Sequence, residues 1–134
     1  VIVVDASAVI AILIHEPERD AFLERMLAAE PAAISAATVL ECSIVLRAMR
    51  RLSDGEAEDA LDGFLHDARM VIKPVDLEDV RLARAAHVRF GKGTGHPAQL
   101  NFGDCFSYAL ARRLGASLLF RGSDFSYTDI TPAL

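Results

Sequence analysis

Four acidic residues, Asp5, Glu41, Asp104 and Asp124, are the candidates for chemistry in this sequence. Asp5 interrupts the apolar opening VIVVDASAVIAIL, where valine and isoleucine strip a carboxylate of water, so it stays ionised only if a hydrogen bond or a cation compensates. One helical turn from Glu41 lie Ala37, Thr38, Ile44 and Val45, and downstream of Asp104 lie Ser107 and Tyr108. Neither acid has the basic partner of an ordinary surface pair, as Glu78 has in Arg81. Each acid also has a plain structural reading. Asp5 suits an N-cap, Thr38-x-x-Glu41 and Asn101-x-x-Asp104 suit capping boxes, and Gly122-Ser123-Asp124 suits a turn. Caps, however, need one carboxylate per helix and give no reason for several to converge. Converging carboxylates repel, and a divalent cation removes the conflict. Oxygen-only ligation selects a hard ion, magnesium or manganese, which can hold a phosphate, acidify a water and stabilise a leaving oxygen. That chemistry is phosphodiester hydrolysis.

Convergence needs elements that carry these positions to one edge. Short apolar, often β-branched segments predict buried strands at VIVVD (1–5), AAIS (32–35), MVIKPV (70–75) and ASLLF (116–120). Helical patterns separate them: ASAVIAILI, ERDAFLERMLAAE ending near Pro31, ATVLECSIVLRAMR, the acidic segment 54–67, LEDVRLARAAHVRF and GDCFSYALARRLG. Alternation of this kind implies parallel pairing and an α/β sandwich with helices on both faces. In such sheets ligands collect outside the carboxyl ends of the strands. Asp5 ends the first strand, Glu41 lies in the early turns of the helix after the second, Asp104 opens the helix before the fourth, and Asp124 follows the fourth. The glycine-rich stretch GKGTGHPAQLN (91–101) lacks the phosphate-loop order and reads as a mobile loop. His87, at helical spacing with Val80, Ala83 and Phe90, reads as a core histidine.

With 134 residues, the sequence is one domain's worth, 1–134, and buries roughly 65–70% of its unfolded surface in a single core. Apolar residues make up 52% and charged ones 25%, which argues for a globular chain over a disordered one. The net charge of −5 would disfavour a polyanionic partner, but it is local: residues 54–67 hold six acids and no Lys or Arg, leaving 13 acids against 14 bases elsewhere. The apolar residues of that segment repeat at helical spacing, so its acids form a solvated face. Asp5 splits the longest apolar stretch, which falls short of the roughly 20 residues of a membrane span and lacks the basic start of a secretory signal, so a cytoplasmic protein is expected. Cys42 and Cys105 lie in apolar helical patterns, and His15, His66, His87 and His96 are scattered, which predicts neither a disulfide nor zinc.

The stretches VVDASA, ATVLECSIVL around Glu41, GHPAQLNFGDCFSYALA and LLFRGSDFSYTDI resemble the PIN-domain ribonucleases, particularly the VapC toxins of bacterial toxin–antitoxin pairs, over nearly the whole chain. The resemblance implies a PIN-like three-layer α/β/α sandwich with a mainly parallel sheet, and an Mg2+-dependent (or Mn2+-dependent) endoribonuclease. Asp5, Glu41, Asp104 and Asp124 become the catalytic and metal-binding set, with Asp5 and Asp104 the principal ligands and Ser7 and Thr128 in support. It also implies a homodimer and a heteromeric complex with a cognate VapB-type antitoxin that blocks the site. Self-association is expected as well from ATVLECSIVL, which is apolar nearly all round. Arg47, Arg50, Arg51 and Lys92 are candidate RNA contacts, although cations near a helix C-terminus also serve its dipole, an ambiguity that Arg112 and Arg113 share. Three rival chemistries fit less well. A dehalogenase-type phosphatase would place a second Asp where Ser7 stands, a receiver domain needs adjacent N-terminal acids, and a Cys105 nucleophile lacks a nearby His in sequence. The non-enzymatic alternative is a catalytically silent PIN-like module that holds RNA or a partner.

Overall fold

A computed structural model describes residues 1–29 and 31–134. Four short strands, β1 (Ile2–Val4), β2 (Ala32–Ser35), β3 (Val71–Lys73) and β4 (Ser117–Leu119), pair in parallel in the order β3-β2-β1-β4. Six helices connect them: α1 (Ala6–Leu13), α2 (Arg19–Ala28), α3 (Ala36–Ala48), α4 (Asp54–Asp67), α5 (Leu77–Phe90) and α6 (Phe102–Leu114).

Strand alternation divides the core into two layers. Ile2, Val4, Ile34 and Leu119 pack with α1 to α4, while Val3 and Leu118 face α5 and α6. Such two-sided burial needs the continuous apolar runs seen in β1 and β4. The α/β/α sandwich expected from the alternation is the observed fold. The acidic helix α4 lies where the spacing puts it, burying Ala57, Leu61 and Leu65 and leaving most of its carboxylates in water. Cys42 and Cys105 are both buried thiols without a disulfide. Arg113 on α6 donates to both carboxylate oxygens of the buried Asp79 at 2.6 and 3.2 Å, locking α5 to α6. That assigns Arg113 a structural task.

Three expectations need correction. β3 is an exposed edge, with Val71 and Ile72 38% and 49% accessible, because only β2 pairs with it. His87 is exposed on α5, one position past the buried Ala86. The glycine-rich loop is tied down: Leu100 donates to the Phe90 carbonyl at 2.9 Å, Lys92 to the Leu100 carbonyl at 2.8 Å, and Ala98 and Leu100 are fully buried. Glycine content gave no sign of these two apolar anchors.

The strand order places a switch point between β1 and β4. The chain leaves β1 toward β2 on one side and reaches β4 on the other, which opens a crevice at the carboxyl ends. Asp5 and the residues after β4 meet there, joined by the Asp5 amide donating to the Leu119 carbonyl at 2.9 Å.

Candidate active site

Asp5 leaves β1 and N-caps α1, and only 2% of it is exposed. One carboxylate oxygen, Oδ2, accepts from the Ser7 amide at 3.0 Å and the Ser7 hydroxyl at 2.7 Å. The other, Oδ1, accepts from the Ser107 hydroxyl at 2.6 Å, and Ser107 in turn meets the Thr38 hydroxyl at 3.3 Å. These donors reach Asp5 from α1 and α6, with Thr38 of α3 behind them, and supply the compensation that burial demands. The capping reading of Asp5 is correct and incomplete, because a cap has no need of the Ser107 bond.

Glu41 lies in the second turn of α3, which Ser35 caps in place of the expected Thr38. Its carboxylate rests against Gly103, where any Cβ would collide with it, so glycine at that position leaves the carboxylate its place between α3 and α6. Half-buried and facing Asp5 and Asp104, the carboxyl has its pKa pushed up to about 7, first by loss of water and then by the two like charges. Its Oε1 is buried with no hydrogen-bond partner among the described residues. Asp104 completes the capping box of α6, its Oδ2 accepting from the Asn101 amide at 3.0 Å. Burial, Asp5 and Asp124 nevertheless outweigh that bond and raise Asp104 to about 6.

Asp5, Glu41 and Asp104 therefore line one cleft of about 910 Å³, together with Ser7, Asn101, Arg51 and Arg121. Asp124 stands outside the lining, exposed at the start of a 3-10 turn (Asp124–Tyr127), near enough to repel Asp104. Thr128 spends its hydroxyl on that turn, donating to the Phe125 carbonyl at 2.6 Å and accepting from Ile130 at 3.2 Å. Of the candidate RNA contacts, only Arg51 lines the cleft. Arg47 is drawn to Glu58 at 3.4 Å, and Arg50 and Lys92 are exposed elsewhere. Sequence reasoning missed Ser107, Thr38 and Arg121 as parts of the site. Ser107 carried a signal, a hydroxyl one turn past Asp104 in a helix otherwise apolar on that side.

The donor set fits a hard divalent cation. An orphaned carboxylate oxygen on Glu41 and two carboxyls whose proton affinity is raised by burial and then by neighbouring acids are what removal of a counter-ion would leave. Among the described residues no three His, Cys, Asp and Glu side chains are placed to hold an ion together, so water would have to complete the shell of an ion held by these carboxylates.

The PIN-domain family matches residues 2–130. Ribonuclease VapC28 of Mycobacterium tuberculosis is 46% identical over 132 residues, covering 98% of this chain and 97% of that protein. Among solved structures, the sarcin-ricin loop cleaving toxin VapC20 of Mycobacterium tuberculosis superposes with a TM-score of 0.74 at 19% identity, covering 98% of this chain and 97% of the other. A chain of a toxin–antitoxin complex from Klebsiella pneumoniae gives 0.66 at 19% identity, covering 94% and 91%. At those identities the two structures speak for the fold, and the closer sequence match speaks for the family. By the parallel sheet, the acid-lined cleft at its switch point and a match that spans nearly every residue, this chain belongs to the PIN-domain family, within its VapC branch.

Proposed function

We propose that the chain is an Mg2+-dependent endoribonuclease toxin, cleaving RNA phosphodiester bonds and controlled by a cognate antitoxin. One observation carries the reading: a buried Asp5 held by Ser7 and Ser107, with Glu41 and Asp104 beside it at the ligand-binding edge of the sheet. Asp5 and Asp104 would hold the ion, with Glu41 beside them and Asp124 at the rim. Magnesium or manganese there would offset phosphate charge and acidify an attacking water. Glu41, with an unpartnered oxygen and a proton affinity near neutrality, suits the transfer of a proton to or from water. Ser7 and Ser107 keep the Asp5 carboxylate oriented throughout. The naming of the relatives as ribonucleases supports RNA as the substrate.

Cleavage of bacterial RNA by the purified chain tests the reading. Magnesium-dependent cuts that disappear in EDTA and in Asp104→Asn are expected, and RNA bound but left intact in magnesium would make this a silent binding module. Activity of this kind in the cytoplasm requires control. An arginine or lysine from an antitoxin could enter among Asp5, Glu41 and Asp104, while Ile10, Ile14, Phe22, Val45 and Met49, which line the same cleft, offer an apolar path to a partner helix. Inhibitor and metal would then compete for the carboxylates, so magnesium titrated into the toxin–antitoxin complex should bind more weakly than to the toxin alone. Equal metal occupancy with and without the partner would contradict that competition. Homodimerisation is proposed on the exposed Leu40 and Ile44 of α3, 60% and 50% accessible and one turn apart. Mass measurement in dilute solution tests it, with a strictly monomeric chain as the contrary result.

A further inference from the structure

Arg121 follows β4 by two residues and sits on the wall of the acidic cleft. Its amide donates to the Ser7 hydroxyl at 3.0 Å, and that hydroxyl donates to Asp5, so the backbone of Arg121 is fixed two hydrogen bonds from the central carboxylate. Its guanidinium turns instead to two glutamates between α1 and α2, with Nε on Glu18 at 2.7 Å and Nη2 on Glu16 at 3.5 Å. The pair is well made but wet, with the Arg121 and Glu18 side chains 44% and 39% exposed, so the surrounding water makes it weak and easily exchanged. The cleft wall carries Asp5, Glu16, Glu18, Glu41 and Asp104 against only Arg51 and Arg121. A polyanion entering there needs a protein cation beside the acids, and a phosphate can take in one forked contact the Nε and Nη2 donors that Arg121 now divides between Glu18 and Glu16.

We infer that Arg121 is a phosphate-binding residue for RNA, and that Glu16 and Glu18 form a latch holding its guanidinium until a phosphodiester displaces them. The inference rests on the ribonuclease reading and adds a competition to it: the latch lowers RNA affinity, because each binding event must first separate Arg121 from its carboxylates. A purely structural pair would have the opposite signature, since breaking it would loosen the cleft and weaken RNA binding.

The test uses the full chain in EDTA, where RNA stays intact, and follows the anisotropy of a short, fluorescein-labelled, mixed-sequence RNA across a salt series. Arg121→Gln should weaken binding about ten-fold and reduce the salt slope by about one phosphate contact. Glu16→Gln with Glu18→Gln should tighten binding about three- to ten-fold in the wild-type background. The same two changes should do nothing when Arg121 is already Gln. That closed cycle separates a latch from simple relief of repulsion, which would persist without Arg121. Should Arg121→Gln not fold, Arg121→Lys keeps the charge without the fork and should give an intermediate loss. The inference is overturned if Arg121→Gln leaves affinity and salt slope unchanged, if the glutamate changes weaken binding, or if their gain survives loss of Arg121. In each of those cases wild-type cleavage in magnesium leaves the ribonuclease reading standing. A wild-type chain that neither binds nor cuts RNA removes both.

Discussion

Asp5 is an acceptor-only group whose two oxygens meet donors of different kinds, and that difference predicts what substitution does. The Ser7 amide cannot reverse its polarity, whereas the Ser107 hydroxyl can rotate to accept from a neighbour while donating to Thr38. Asp5→Asn therefore fits if its carbonyl faces Ser7 and its amide faces Ser107, and the chain should stay folded while magnesium-dependent RNA cleavage is lost. Asp104→Asn likewise keeps an oxygen for the Asn101 amide and should lose cleavage without unfolding. Circular dichroism beside a cleavage assay checks both, and wild-type rates in either variant would remove that acid from the catalytic set. Ser107→Ala is the more disruptive change to the fold. It leaves a buried carboxylate oxygen without its donor at a cost of about 1–3 kcal/mol, which lowers Tm by several degrees. It should also raise the magnesium concentration needed for half-maximal cleavage, because the Asp5 carboxylate is then free to turn. Thermal melts and a metal titration read the two effects separately, and a Ser107→Ala chain that melts and titrates like wild type would make the bond dispensable.

The meeting of α3 with α6 decides where Glu41 sits, and Gly103 leaves room for its carboxylate there. Gly→Ala inside a helix ordinarily stabilises by about 1 kcal/mol. At Gly103 the added methyl meets the end of the Glu41 side chain, which can swing away, so little change in Tm and a fall in cleavage rate of about ten-fold or more are expected. Glu41→Ala should then mask the effect, since no carboxylate remains to be displaced, and a Gly103→Ala rate equal to wild type would show that Glu41 need not be held there. Much of this arrangement was legible in the sequence. Alternating apolar runs and helical periods predict the sandwich, and the rule of carboxyl-end ligands brings Asp5, Glu41 and Asp104 together, because period and topology are set by backbone geometry. Contacts between elements distant in the chain were not legible. Nothing in LLFRGSDF says that Arg121 turns toward Glu16 and Glu18, nothing in GKGTGHPAQLN says that Ala98 and Leu100 bury themselves, and nothing near Val80 says that His87 faces water. Such choices depend on which side chain lies across a gap, and one chain read in order does not contain that information.

Crowded carboxylates make the stability of the whole molecule depend on protons and metal together. Folding raises Glu41 from its ordinary 4.5 to about 7 and Asp104 from 3.8 to about 6, so between those values the metal-free folded chain binds more protons than the unfolded one. By linkage its stability falls as pH rises through this window, from full benefit below about 4 to none above about 7. This is opposite in sign to a carboxylate held by a salt bridge. Both groups are partly in contact with solvent, so screening reduces the pair's effect to about 2 kcal/mol, or several degrees in Tm. A divalent cation held by these carboxylates would occupy the same oxygens as the protons and would stabilise only the folded state. Magnesium should accordingly raise Tm strongly at pH 8 and little at pH 5.5, bringing the two curves together at the acid end. Glu41→Gln removes one of the titrating groups and should flatten the metal-free curve while weakening the magnesium response at pH 8. Thermal melts across this range, with EDTA or magnesium, measure all three quantities without any RNA present. A metal-free Tm that climbs from pH 6 to pH 8, or a magnesium shift as large at pH 5.5 as at pH 8, would mean that Glu41 and Asp104 do not form the coupled proton and metal site described here.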